Sequence, residues 1–248
     1  MPRQVRTGET AQGHATGEAG EGCGGRSRAE AGAVAQQVGA PVDHDELGAD
    51  ETLIALLGRV GSGIAAELGI DRVELLTGGS LGGMVALEMA VERPAAVAHV
   101  YPIAAPAAIG PLAQAWNHVQ LELVDRLGRA GMALARQIAM TTYRSERDFD
   151  ERFSGRTEPD GTTSIVSYLE HQGRKLLDRF DPDTYRSLVG AMDRHDIGRG
   201  RGGVGEALGR LAAGGTRLTG LGIQDDILYG PAQVRALVKA ASAAGVRA

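Results

Sequence analysis

The chain has 248 residues, a formal charge of −5 from 26 basic and 31 acidic side chains, and 43% hydrophobic residues. That length suits one domain, or one with an insertion, and no apolar run approaches the ~18 residues of a membrane span. A single cysteine, Cys23, excludes an internal disulfide framework and a thiolate zinc cage, and the acidic balance argues against binding nucleic acid through bulk charge. Charge at Met1-Pro-Arg-Gln-Val-Arg6 is followed by no apolar segment, so no secretory signal is legible and the expected location is cytoplasmic.

Composition is uneven along the chain. All nine aromatic residues lie at or after Tyr101, and ten of the 37 glycines fall in the first fifty residues. Residues 1–48 hold few large aliphatics and cannot offset the entropy of ordering their backbone, so they are expected to be disordered. From there Leu53, Leu57, Val60, Ile64 and Leu68 recur at helical spacing, with Asp50 as the expected N-cap and Gly69 as the stop. Gly58, Gly61 and Gly63 weaken that helix, whose stability must then come from packing. Val73–Thr77 reads as a short buried strand, Met84–Val91 as a helix halted by Pro94, and Val97–Ile103 as a second strand. Strand, turn, helix and strand in that order signal a parallel sheet.

Candidate helices then cover 111–128, 130–144, 164–179 and 182–194, with a glycine-rich break at Gly198–Gly205. A strand pattern returns over Leu218–Ile223. Pro231 opens a last helix in which Val234, Leu237, Val238 and Ala241 share one face. The expected divisions are a leader at 1–48, a core at 49–109, a helical block inserted as a lid at 110–213, and a return to the core at 214–248.

Gly78-Gly79-Ser80-Leu81-Gly82 fits G-x-S-x-G between a strand and a helix. A serine on so tight a turn needs small neighbours, and the Leu81 N–H at the helix start points where an oxyanion would form. The plainer alternative is a glycine-rich loop whose serine caps the helix. No G-x-G-x-x-G can be laid over it, and without lysine it is no P-loop. A serine nucleophile needs a base and an orienting acid. Asp225 and Asp226 follow the expected strand where such a carboxylate belongs, although a pair of this kind also suits a solvated loop or a cap.

Thr77–Ala90 closely resembles the nucleophile elbow of the homoserine O-acetyltransferases. So does Ala135-Arg-Gln-Ile-Ala-Met-Thr-Thr-Tyr-Arg144, with Phe149 and Arg152-Phe153 after it. Ser167–Lys175, Arg179–Tyr185 and Ala191–Asp193 resemble the family's lid, and Asp226–Tyr229 its acid loop. The resemblance is collinear from about 70 to 248. It implies an α/β-hydrolase fold, a mostly parallel sheet with an inserted helical lid, working by acyl transfer from acetyl-CoA to L-homoserine in methionine biosynthesis. It further implies Ser80 as nucleophile, Asp226 as the acid that orients a histidine, the Leu81 N–H in the oxyanion hole, and Arg136 and Tyr143 on the substrate pocket. A guanidinium at Arg136 can grip an amino-acid carboxylate with two hydrogen bonds. The plainer readings are a surface arginine and a half-buried aromatic. Acetyl-CoA enters as co-substrate, with no bound cofactor or metal, and the family's homodimer is implied by resemblance alone.

The resemblance also implies a histidine past the acid loop, and none of the six histidines follows Asp226. His195, between Arg194 and Asp196, reads as a solvated surface residue, and His118 as structural. Only 79 residues precede Ser80, too few for the family's first strands and oxyanion loop. The expectation is a chain truncated at both ends whose turnover is lost, since removing the histidine of a serine triad costs roughly a million-fold. Alternatives are a related esterase, a serine or homoserine O-succinyltransferase, or a remnant without catalysis. RNA binding through Arg199-Gly-Arg-Gly-Gly203 and a metal at Asp43-His44-Asp45-Glu46 are weaker candidates.

Overall fold

A computed structural model describes residues 52–248. The expected leader at 1–48, Asp50 and the Asp43–Glu46 stretch lie outside the described residues. The elements in order are α1 (Leu53–Glu67), β1 (Leu76–Gly79), α2 (Leu81–Glu92), β2 (His99–Ile103), α3 (Pro111–Thr142), α4 (Glu146–Phe153), α5 (Ser164–Leu177), α6 (Pro182–Asp193), α7 (Val204–Ala213), β3 (Arg217–Leu218) and α8 (Pro231–Ala243). Among the described residues the strands form one parallel sheet in the order β1-β2-β3. Leu76 pairs with Val100 and Gly79 with Ile103, so β1 and β2 end side by side at Ser80.

α1 begins at Leu53, and its N-cap is Thr52, whose hydroxyl accepts from the Ala55 N–H at 3.1 Å. Its buried face also differs from the expected leucine stripe. Leu53, Ile54, Gly58 and Ser62 face inward, while Ile64 and Leu68 are 42% and 68% exposed. The reason is the closeness of α2: a Cβ on Gly58 would lie 3.0 Å from Glu88 Cβ, and one on Gly61 would lie 2.8 Å from Met89 Sδ. The glycines that weaken the isolated helix are the residues that let it pack.

Around β2 and β3 the core gathers Leu87 and Val91 of α2, Val100, Leu208 and Leu211 of α7, Leu218 and Leu237 of α8. The expected face of α8 is buried through Val234, Leu237 and Ala241. A second cluster joins Ile54, Met84, Ala105, Ala113 and Tyr229. Between β2 and β3 the chain runs through five helices. α3 contains one break at Gly128, where φ is 57° and ψ −128°, dividing it close to the two helices expected from sequence. After the break Gly131 lies against the preceding turn, where a Cβ would stand 1.8 Å from the Leu123 carbonyl oxygen. Val124, Met132 and Ala135 of α3 then pack on Leu176, Phe180 and Tyr185.

Three local expectations are corrected. The stretch read as a break through Gly205 closes earlier, and α7 runs from Val204, burying Ala207, Leu208 and Leu211. α4 was not foreseen: it has only Phe149 and Phe153 as apolar residues, and its third partner, Tyr168, stands on α5. The expected strand at 218–223 is reduced to Arg217–Leu218 with one further bridge from Leu221 to Ile103.

Candidate active site

Ser80 occupies the turn from β1 into α2 with φ 52° and ψ −121°, a left-handed conformation that strains a residue with a Cβ. Backbone hydrogen bonds hold it on both sides: its N–H donates to the Ile103 carbonyl at 2.8 Å, and its carbonyl accepts from Met84 N–H at 3.0 Å. Gly78 makes the turn possible, because a Cβ there would sit 2.4 Å from the Gly82 carbonyl carbon and oxygen. Gly83 is equally confined, with Ala105 Cβ 2.7 Å from where its own Cβ would be. Ser80 is the N-cap of α2 by position, yet its side chain makes no cap hydrogen bond. The hydroxyl is thus not spent on the helix. Leu81 opens α2, so its N–H is one of the four without a partner inside the helix, at the positive end of the dipole.

A cavity of about 250 Å³ opens beside this turn. Its wall includes Ser80, Leu81, Arg136 and Tyr143, with Asn117, Gln120, Tyr185, Met192, Leu228 and Tyr229. Four of the five site residues expected from sequence therefore share one space. Arg136 and Tyr143 come from the second half of α3 and its C-cap, and the guanidinium carbon lies 5.6 Å from the tyrosine ring centre. Tyr143 is 56% exposed, so it lines a mouth and is no core aromatic. Asp226 is not on the wall. Its Oδ1 accepts from the N–H groups of Leu228 and Tyr229 at 2.8 and 2.9 Å, and that turn sets the two wall residues in place.

Several wall residues carried no motif in the sequence. Tyr185 donates its hydroxyl to Gln120 Oε1 at 2.6 Å, and Gln120 donates to the Trp116 carbonyl at 3.0 Å. Asn117 donates to Asp193 Oδ1 at 2.7 Å. Burial raises both the Tyr185 and Tyr229 phenols far above their ordinary range; nearby Tyr143 adds to this, and Arg136 opposes it for Tyr185. Both therefore stay neutral donors. Burial also raises the Asp193 carboxyl, against the opposing pull of its Asn117 hydrogen bond. The spacing of Asn117 and Gln120 on one helix face was the available signal, but their partners are 76 and 65 residues away in the chain.

His195 corrects a sequence expectation. It is 1% exposed, not solvated, and its Nε2 lies 3.0 Å from the Pro106 carbonyl oxygen. Its Nδ1 is buried with no hydrogen-bond partner. Burial lowers its pKa to about 4, outweighing the Pro106 hydrogen bond. No described histidine lines the Ser80 cavity. The Arg199–Gly203 run, weighed for RNA, is a tight loop: Arg201 is largely buried, pairing with Glu88 at 2.7 Å and donating to the Ile197 carbonyl at 2.9 Å. Among the described residues no group of three or more His, Cys, Asp or Glu could hold a metal ion, and no helix is long and apolar enough to cross a membrane.

A homoserine O-acetyltransferase from Thermus thermophilus is 42% identical over 158 residues, covering 60% of this chain and 40% of that protein. One from Chlorobium luteolum is 46% identical over 99 residues, or 40% of this chain and 27% of the relative. By sequence, the chain is similar to the homoserine O-acetyltransferases over part of their length. The crystal structure of a homoserine O-acetyltransferase from Staphylococcus aureus agrees, with TM-score 0.68, 31% identity, and coverage of 82% of this chain and 58% of that one. Esterase E22, at 15% identity and TM-score 0.69, shows the same α/β-hydrolase fold and no more. No family model matches the chain. The homoserine O-acetyltransferase-like chain spans less than half the length of the curated relatives it matches.

Proposed function

We propose that the cavity beside Ser80 is the acyl-transfer site of a homoserine O-acetyltransferase. The observation that carries this is the strained Ser80, its hydroxyl uncommitted, sharing a small cavity with Arg136. At about 250 Å³ the space is below the ~300–1,000 Å³ of drug-sized sites and suits an amino-acid-sized acceptor.

In the first step Ser80 Oγ attacks the thioester carbonyl of acetyl-CoA. A C–O bond forms, the C–S bond breaks, and CoA leaves as the thiol with the proton that serine gives up. The Leu81 N–H faces the developing oxyanion. In the second step the homoserine hydroxyl attacks the acetyl-serine; the new ester forms, the serine ester breaks, and a proton returns to Oγ. Arg136 takes the homoserine carboxylate through two charge-assisted hydrogen bonds. The Tyr143 ring, beside the guanidinium, limits its swing.

Both proton transfers call for a base. Family resemblance implies a histidine oriented by Asp226, and no histidine follows Asp226 in these 248 residues. The test therefore adds imidazole as an external base and follows acetylation of the Ser80 peptide by mass spectrometry. Acetylation that requires imidazole and vanishes in Ser80→Ala supports the reading; no acetyl group on Ser80 in folded protein contradicts it.

The same reading assigns 49–109 and 214–248 to the hydrolase core and 110–213 to the lid, in a cytoplasmic protein. It also holds that the protein is a homodimer. Support comes from α3, where Leu112, Val119 and Leu127 are 56%, 46% and 52% exposed at helical spacing along one face. Size-exclusion chromatography with light scattering checks this: Val119→Lys with Leu127→Lys is expected to give the monomer.

A further inference from the structure

A second concavity, of about 500 Å³, lies between the α4–α5 connection and α5, and the acyl-transfer site does not include it. Its charge is one-sided. Arg152, Arg156, His171 and Arg174 stand on its wall with Glu158 as the opposing carboxylate. Arg174 is partly occupied by Glu170 at 3.4 Å. Arg156 reaches only a backbone carbonyl, that of Glu151, at 3.4 Å. Arg152 makes no ion pair with any described carboxylate; its guanidinium carbon lies 5.5 Å from the Phe153 ring centre and 5.8 Å from that of Tyr168. Those rings are 5.1 Å apart at 37° to one another, and both belong to the groove. Cations with unused donors beside aromatic faces suit a ligand with phosphates at one end and a flat ring at the other.

The groove is also joined to the reaction cavity. Tyr143 lines the cavity, and the next residue, Arg144, donates to the Tyr168 hydroxyl of the groove at 3.3 Å and pairs with Asp148 at 2.6 Å. The two walls are thus linked through Arg144 and its hydrogen bond to Tyr168. We propose that this groove binds the phosphorylated nucleotide end of the thioester donor while its acyl end reaches Ser80. The proposal rests on the acyl-transfer reading for the identity of the donor. Phosphate oxygens take the free N–H groups of Arg152 and Arg156, and the purine lies against Tyr168.

The test is calorimetric titration of the full chain with adenosine 3′,5′-bisphosphate and then with CoA, which shares that end. Adenosine 3′,5′-bisphosphate is expected to bind, to be competed by CoA, and to weaken as salt rises. Arg152→Gln with Arg156→Gln is expected to weaken both ligands about tenfold or more. Ser80→Ala, untouched at the groove, is expected to bind as the parent does, which separates this result from any failure of acylation. Thermal melting of the double variant at the parent temperature shows that its fold is intact. No binding by the parent, or binding unchanged in the folded double variant, overturns the proposal. Nucleotide binding that CoA does not compete with overturns the donor assignment, even if Ser80 is acetylated.

Discussion

At Ser80 a side chain is carried through backbone that favours glycine, and the cost of that conformation is roughly 1–3 kcal/mol. Ser80→Gly is accordingly expected to be more stable than Ser80→Ala by about 1 kcal/mol in urea unfolding, although both remove the proposed nucleophile. Equal stabilities would mean the turn is unstrained. At the other side of the cavity, hydrogen bonds to a charged group are worth about 1.5–3 kcal/mol, so Arg136→Gln should weaken homoserine binding about tenfold to a hundredfold. His195 supplies a pH signature. Its folded pKa, about 4, lies below the ordinary 6.5 of histidine, so the unfolded chain binds more protons between those values. Stability is therefore lost as pH falls from 6.5 toward 4, by at most about 3 kcal/mol. Glu88 and Asp193 act oppositely, since burial raises their pKa and stability falls as pH rises from each group's ordinary value through its raised one. The difference between parent and His195→Gln in denaturation at pH 7 and pH 5 isolates the histidine; parallel changes would show that the ring is not held neutral. The tight turn at Ser80 was legible because its glycines are a local, steric requirement. The burial of His195 was not, because Pro106, 89 residues earlier in the chain, decides it.

At the scale of elements, glycines separate propensity from packing in α1. Gly63 has open space around it, Gly61 meets the flexible end of Met89, and Gly58 meets Glu88 Cβ and the Met89 backbone. A glycine-to-alanine change gains about 0.8–1 kcal/mol of helix propensity where nothing is in the way. Gly63→Ala is thus expected to stabilise by up to that amount, Gly61→Ala to be near neutral, and Gly58→Ala to destabilise by about 1–2 kcal/mol from overpacking. Thermal melts of the three variants check the order; a stabilising Gly58→Ala would contradict the close α1–α2 contact. The same contact explains why the periodic leucines misled: spacing shows that a face is apolar, but closest approach is set by the smallest residues. α7 illustrates the opposite case. Val204, Ala207, Leu208 and Leu211 carry the i, i+3, i+4, i+7 pattern, yet the preceding glycines mask where the loop ends. Their role is to close a turn in which Gly198 lies against Gly203, and a Cβ on Gly198 would stand 2.3 Å from the Gly203 carbonyl carbon.

Across the whole molecule, the parallel sheet was legible from the strand–helix–strand order, because a parallel pair needs a crossover and α2 is the right length for one. The tertiary partners of the helices between β2 and β3 were not, since the four helices expected there are similar in composition and can be docked in several ways until Gly128 turns the chain. Arg201 ties this region to the core: it is 14% exposed in its side chain and bridges Glu88 at 2.7 Å and Glu92 at 3.5 Å on α2. Removing one partner of a buried pair leaves an uncompensated charge at a cost of roughly 3–5 kcal/mol. Arg201→Met should lose about that much in chemical denaturation, while Arg201→Met with Glu88→Leu recovers most of it. A double variant as unstable as the single one would mean that the loop needs the arginine for more than its charge, through the Ile197 carbonyl it also holds.

Ser80 is proposed to receive an acyl group and pass it to an acceptor held by Arg136. The direct measurement is to load Ser80 with acetyl from acetyl-CoA in the presence of imidazole, remove the donor, and follow loss of the acetyl group by peptide mass with and without homoserine. Homoserine is expected to discharge Ser80 faster than water does, and Arg136→Gln to erase the difference. Discharge at the same rate with and without homoserine would contradict the proposal and make the site an esterase.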